Sequence, residues 1–210
     1  MKNIFVFGDS FSTNYTLDNQ VSPQESWPSL LAEKLERNLK NYANAGMCNG
    51  EIINRFMQRY HEIDSEDIVI LETGFFSRVL NPFTNSTLFV NDILNESDHK
   101  NLNSNSPQDY LFYKQYVLNM DTYIMHDVLK YKFILDYLTV KKIEFYVWSV
   151  DEDKQLRSHL FDKFSKHYLM YPKDWEHIVN NPAHWAGNDK HFNAKAHQAV
   201  AEMFYTRMKP

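Results

Sequence analysis

The chain has 210 residues, with 22 Lys and Arg against 27 Asp and Glu, a net charge of −5 and a single cysteine, Cys48. That length suits one domain burying roughly 70% of its unfolded surface, and an acidic balance with no basic block argues against a nucleic-acid or anionic-membrane partner. One cysteine excludes an internal disulfide framework and a cysteine-rich zinc site, and no run approaches the ~20 apolar residues that cross a bilayer. Ile4 to Phe7 is a continuous apolar run, which reads as a strand buried on both faces. Only Lys2 and this short run precede Gly8, so no signal peptide is read and a cytoplasmic location is expected. Gly8-Asp9-Ser10 follows the strand at once, in the place where open α/β sheets bind ligands. Asp9 is expected to support that turn through backbone N–H groups rather than to act in catalysis.

A helix is expected from about Pro28 to Leu39, where proline suits the first turn and Leu31, Leu35 and Leu39 recur every four residues. A short strand is expected near Asn41 to Ala43. The loop containing Gly46 leads to a helix from about Glu51 to His61, with Ile52, Ile53, Phe56, Met57 and Tyr60 as its apolar face. Ile68 to Leu71 reads as a third buried strand, ending at Glu72-Thr73-Gly74. Apolar runs alternating with amphipathic helices predict βαβ units and a parallel sheet, an α/β fold.

The stretch from Pro82 to Pro107 breaks this rhythm, and its part from Asn95 to Ser106 reads as a loop insertion in a single domain covering 1–210. A long helix is expected from about Gln108 to Thr139, and a fourth strand from Ile143 to Trp148. Residues 152–170 read as helical and 171–192 as a loop. A final helix runs from about Ala194 to Met208, with Ala196, Val200, Met203 and Phe204 inward.

Three loops at one sheet edge then matter together. The first presents Ser10. The second presents Gly46 ahead of a helix, where unpaired N–H groups can face an anion. The last holds Asp189, His191 and Asn193 just before the final helix. A serine hydroxyl needs a base within hydrogen-bond reach. His191 can be that base and Asp189 can orient its ring. Taken alone, Ser10 and Ser12 suit a cap or a phosphate loop, and Asn193 an ordinary N-cap. His191 and His197 lack ligand spacing, so no metal site is expected. Trp185, just ahead of Asp189, is the tryptophan expected to touch substrate.

The segment Phe7-Gly8-Asp9-Ser10-Phe11-Ser12 resembles the first block of the SGNH (GDSL-type) hydrolases. Asp189-Lys190-His191-Phe192-Asn193 resembles their closing block, and Asn44-Ala45-Gly46, with Asn49 and Ile52, their second. The resemblance implies a three-layer α/β/α sandwich with a mostly parallel, flavodoxin-like sheet. It also implies hydrolysis of a small carboxylic ester, often an acetyl group on a carbohydrate, with no cofactor. Ser10 would be the nucleophile, His191 the base and Asp189 the acid, with the N–H groups of Ser10 and Gly46 as oxyanion donors. Two departures stand out. Gly74-Phe75-Phe76 occupies the place of the family's Gly-x-Asn, leaving Asn49, Thr73 or Arg78 as substitute donors. The acid also lies two residues before the histidine, where three is commoner. Two other classes stay open: a non-catalytic binding or structural protein, and an acyltransferase using the same serine.

Overall fold

The computed structural model describes residues 2–18, 20–75, 78–80, 87–89, 115, 120–150, 164–170, 172–187 and 191–209. In chain order the elements are β1 (Asn3–Phe7), α1 (Trp27–Lys34), β2 (Asn38–Asn41), α2 (Asn49–Arg59), β3 (Ile68–Thr73), β4 (Arg78–Leu80), β5 (Thr87–Phe89), α3 (Met120–Val140), β6 (Glu144–Ser149), α4 (Pro172–Val179) and α5 (Ala194–Met208). A four-stranded sheet runs in the order β2-β1-β3-β6, and each of its pairings is parallel. A parallel bridge from Val147 to Tyr168 continues the sheet beyond β6. This is the doubly wound order of a flavodoxin-like fold.

Alternation along the central strands builds the layers, because successive side chains point to opposite faces. Phe5, Phe7, Val69, Leu71, Phe145 and Val147 face one way and pack with Phe56 of α2 and Leu135 of α3. Ile4, Val6, Ile68, Ile70 and Trp148 face the other way, onto Trp27 and Leu31 of α1 and Val200 and Phe204 of α5. The central strands are apolar on both faces because both are covered. Trp27 is fully buried, with Trp148 and Phe204 edge-on against its ring.

Several boundaries differ from expectation. The helix predicted to reach Leu39 ends at Lys34. Glu36 takes a left-handed φ of 53°, and the Arg37 N–H returns to the Ala32 carbonyl at 3.0 Å. This is a Schellman stop made without glycine. Leu39 therefore belongs to β2, paired beside Ile4, and the strand expected at Asn41 to Ala43 starts at Asn38. In α2 the buried face is Ile52, Ile53 and Phe56, whereas Met57 and Tyr60 are exposed.

The stretch 171–192, read as a loop, contains α4 and a 3₁₀ turn at Pro182–His184. Of the stretch read as helical, 152–163 lies outside the described residues, and its end forms a 3₁₀ turn at Ser165–His167 and the bridge at Tyr168. Within the expected insertion, Thr87–Phe89 is β5, antiparallel to β4. Its Asn-Ser-rich part, 95–106, lies outside the described residues, as do 108–114 and 116–119 of the expected long helix. The final helix occupies the predicted span; there Ala196, Val200 and Phe204 are buried and Met203 is partly so.

Candidate active site

β1 and β3 are neighbours whose following segments leave towards opposite faces, which opens a crevice at their C-terminal ends. The turn after β1 is a 3₁₀ helix, Ser10–Ser12, capped by Asp9, whose Oδ1 accepts the Phe11 N–H at 2.9 Å. The supporting role expected for Asp9 is what the structure shows. Its Oδ2 is paired with Arg78 at 2.8 Å. Trp27 Nε1 donates to the Phe11 carbonyl at 2.8 Å, and the Trp27 backbone N–H donates to His197 Nδ1 at 3.2 Å. Trp27 thus ties the serine turn to α5. Burial pushes the His197 imidazole down to about 4, so it is neutral and free to accept that N–H.

The closing loop is equally constrained. Trp185 and Phe192 form an antiparallel bridge, and Ala186 N–H donates to the His191 carbonyl at 3.0 Å. Asn193 caps α5 through its Oδ1 on the Ala196 N–H at 3.1 Å, while its Nδ2 donates to the carbonyls of Ala183 and Trp185. This frame sets His191 against the serine turn. Its Nε2 lies 3.1 Å from Ser10 Oγ across 181 residues of sequence. The imidazole stacks on Phe11 with centroids 5.7 Å apart, and Tyr15 meets it edge-on at 4.9 Å.

Asp189, the expected acid, lies outside the described residues. Gly46 sits in the loop ahead of α2 with a φ of 81°, and Asn44 N–H ties that loop to the Gly8 carbonyl at 3.2 Å. Glycine is needed at Gly46 because its φ lies in the left-handed region. The N–H groups of Ser10 and Gly46 donate to no other described residue.

The three substitute donors fare differently. Asn49 is buried, with its amide engaged by Gly74, and Thr73 is buried with its hydroxyl closed off from the surface. In this arrangement neither side chain opens onto the crevice. Arg78 keeps a partly exposed side chain while its guanidinium holds Asp9 and lies over the Phe75 ring. Trp185 is partly exposed and has a structural role as well. Its indole N–H donates to the Val179 carbonyl at 2.9 Å and its ring packs on Phe192, so it builds the closing loop.

Two residues that the sequence reading passed over belong to the site. Tyr15 braces His191, and Glu72 accepts hydrogen bonds from Asp9 N–H at 3.0 Å and Ser12 Oγ at 2.5 Å. The signal for Glu72 was present, since an acidic residue inside an otherwise apolar central strand must find partners. No group of three or more metal-ligating side chains comes together among the described residues, and none of their helices is long and apolar enough to cross a membrane.

No protein-family model and no curated protein matches the chain. Solved structures do. A psychrotrophic esterase from Pseudoalteromonas sp. aligns over 99% of this chain and 96% of its own, at a TM-score of 0.58 and 12% identity. A member of the lipolytic G-D-S-L family from Veillonella parvula aligns over 97% and 96%, at 0.55 and 15%. An acetyl xylan esterase aligns over 99% and 100%, at 0.53 and 15%. What this chain shares with these esterases and G-D-S-L proteins, from end to end, is their fold.

Proposed function

We propose that the chain is a serine ester hydrolase whose nucleophile is Ser10. One observation carries the reading: the 3.1 Å approach of His191 Nε2 to Ser10 Oγ at the mouth of the β1–β3 crevice. In the reaction, Ser10 Oγ attacks the ester carbonyl while His191 Nε2 takes its proton. The carbonyl oxygen gathers negative charge opposite the N–H groups of Ser10 and Gly46, with the Arg78 guanidinium as the remaining partly exposed candidate donor. His191 then returns the proton to the departing alcohol, leaving an acyl-serine. Water attacks that acyl group, again losing a proton to His191, and the acid is released as Ser10 recovers its hydrogen. Asp189 is assigned to the other imidazole nitrogen, holding the tautomer.

A small acyl group, acetyl above all, on a carbohydrate alcohol is the preferred substrate class. That preference draws on an acetyl xylan esterase being among proteins of similar fold.

The test is covalent labelling. A phosphonate inhibits the Pseudoalteromonas esterase, so a fluorophosphonate probe suits this chain. Labelling is expected in the native protein and absent in Ser10→Ala and His191→Ala. A native protein that stays unlabelled defeats the reading and favours a binding role for the crevice. Release of p-nitrophenol from its acetate, with and without an added alcohol acceptor, separates hydrolysis from acyl transfer.

A further inference from the structure

Glu72 has no part in the reaction above, yet it holds the turn that presents the nucleophile. Its Oε2 accepts from the backbone of Asp9 and from the hydroxyl of Ser12, on the two sides of Ser10. Gly8 makes room for this contact, because a Cβ there would run into Glu72 Oε2 and Ser12 Oγ. Glu72 and Asp9 are both 0% exposed. Arg78 is paired with Asp9. Among the described residues, two ionised carboxylates against that guanidinium would leave an uncompensated charge where no water reaches.

Glu72 Oε1 points to the resolution. It is buried and accepts a hydrogen bond from no described residue. A buried carboxyl oxygen with nothing to accept from is satisfied when it carries a proton and has an acceptor beside it. Asp9 is at hand as that acceptor, since its own backbone N–H is held by Glu72 Oε2 at 3.0 Å.

We propose that Glu72 is a positioning residue, a neutral carboxylic acid that fixes the Ser10 turn by accepting at Oε2 and donating from Oε1 to the Asp9 carboxylate. Burial first, and then the charge of Asp9, hold the Glu72 carboxyl well above the ordinary carboxylate range. The other titratable groups around it agree with a neutral acid. Tyr131 of α3, whose hydroxyl lies 3.0 Å from the Glu72 carbonyl, is itself pushed well up by burial. Arg78 reaches the group through Asp9. The catalytic half of the proposal rests on Ser10 being the nucleophile; the protonation half does not.

The experiment compares Glu72→Gln, Glu72→Leu and Ser12→Ala by ester turnover and by infrared spectroscopy. Glutamine keeps an oxygen to accept and an N–H to donate, so Glu72→Gln is expected to retain kcat within about threefold. Glu72→Leu and Ser12→Ala are expected to lose kcat by up to about 10²-fold with KM little changed, as for a misplaced nucleophile. Ser12→Ala serves where Glu72→Leu does not fold. At neutral pH the native protein should show the carbonyl stretch of a protonated carboxylic acid, absent from Glu72→Gln. A Glu72→Gln enzyme as slow as Glu72→Leu, or a native spectrum without that band, overturns the proposal. If the native protein turns over no ester, the Ser10 reading fails by itself and the band alone decides the state of Glu72.

Discussion

Asn49 takes both backbone groups of Gly74, its Oδ1 accepting the N–H at 2.8 Å and its Nδ2 donating to the carbonyl at 3.2 Å. The Tyr131 hydroxyl lies 3.0 Å from the same Oδ1. This clamp joins the start of α2 to the end of β3. Asn49→Ala leaves the Gly74 groups buried and unpaired, at about 1–3 kcal/mol for each orphaned group. Urea denaturation should show that loss, and a cycle with Tyr131→Phe should be non-additive because the two side chains share Oδ1.

Arg78 and Asp9 form an ion pair in which the carboxylate is wholly buried. Removing the cation strands a charge that cannot reach water. Arg78→Met is therefore expected to cost about 3–5 kcal/mol. Adding Asp9→Asn should restore part of it, because the stranded charge disappears. Equilibrium unfolding of the two variants side by side measures this. A double variant no more stable than Arg78→Met would place the cost elsewhere.

His197 couples stability to acid. Its ordinary value is 6.5 and burial lowers it to about 4 in the folded chain. Between those values the unfolded chain binds a proton that the folded chain does not, so stability rises with pH across the window and is lost as pH falls. The total is on the order of 3 kcal/mol. Unfolding free energies from pH 7 down to pH 4 should show this slope, and His197→Asn should flatten it while keeping an acceptor for the Trp27 N–H.

Tyr15 is 38% exposed, yet its ring meets the His191 imidazole edge-on. Its removal should leave the melting temperature nearly unchanged and still slow the proposed ester reaction, because the imidazole loses a wall. Tyr15→Ala is expected to lower kcat by up to about 10²-fold, the scale of a displaced catalytic group. Tyr15→Phe should keep it, since the ring and not the hydroxyl makes the contact. Thermal melts and steady-state kinetics on the two variants separate packing from stability.

Much of this arrangement was legible in the chain itself. The runs Ile4 to Phe7 and Ile68 to Leu71 announce buried parallel strands, and both occupy the sheet centre. Asn193 announces the cap of the last helix, and it caps that helix. Repeated leucines misled where a stop signal was disguised. Glu36 does at the end of α1 what glycine usually does, so the spacing of Leu31, Leu35 and Leu39 ran on past a real boundary. α4 was missed because Pro172 reads as a breaker from outside and as a helix start from within. The partners of Asn49 and Glu72 were hidden for a different reason. Side chains 25 and 60 positions distant in sequence meet only once the sheet exists.

The link from Trp27 to Phe11 on one side and to His197 on the other has a temporal meaning. A chain emerging from the ribosome can pair β1, β2, β3 and β6 while α5 is still inside the exit tunnel. Throughout that interval the hydroxyl of Ser10 has no imidazole beside it, and Trp27 has only half of its grip. The pair can therefore form only after the chain has been made through residue 191, and a nascent chain halted before it leaves Ser10 Oγ without its 3.1 Å contact to His191 Nε2.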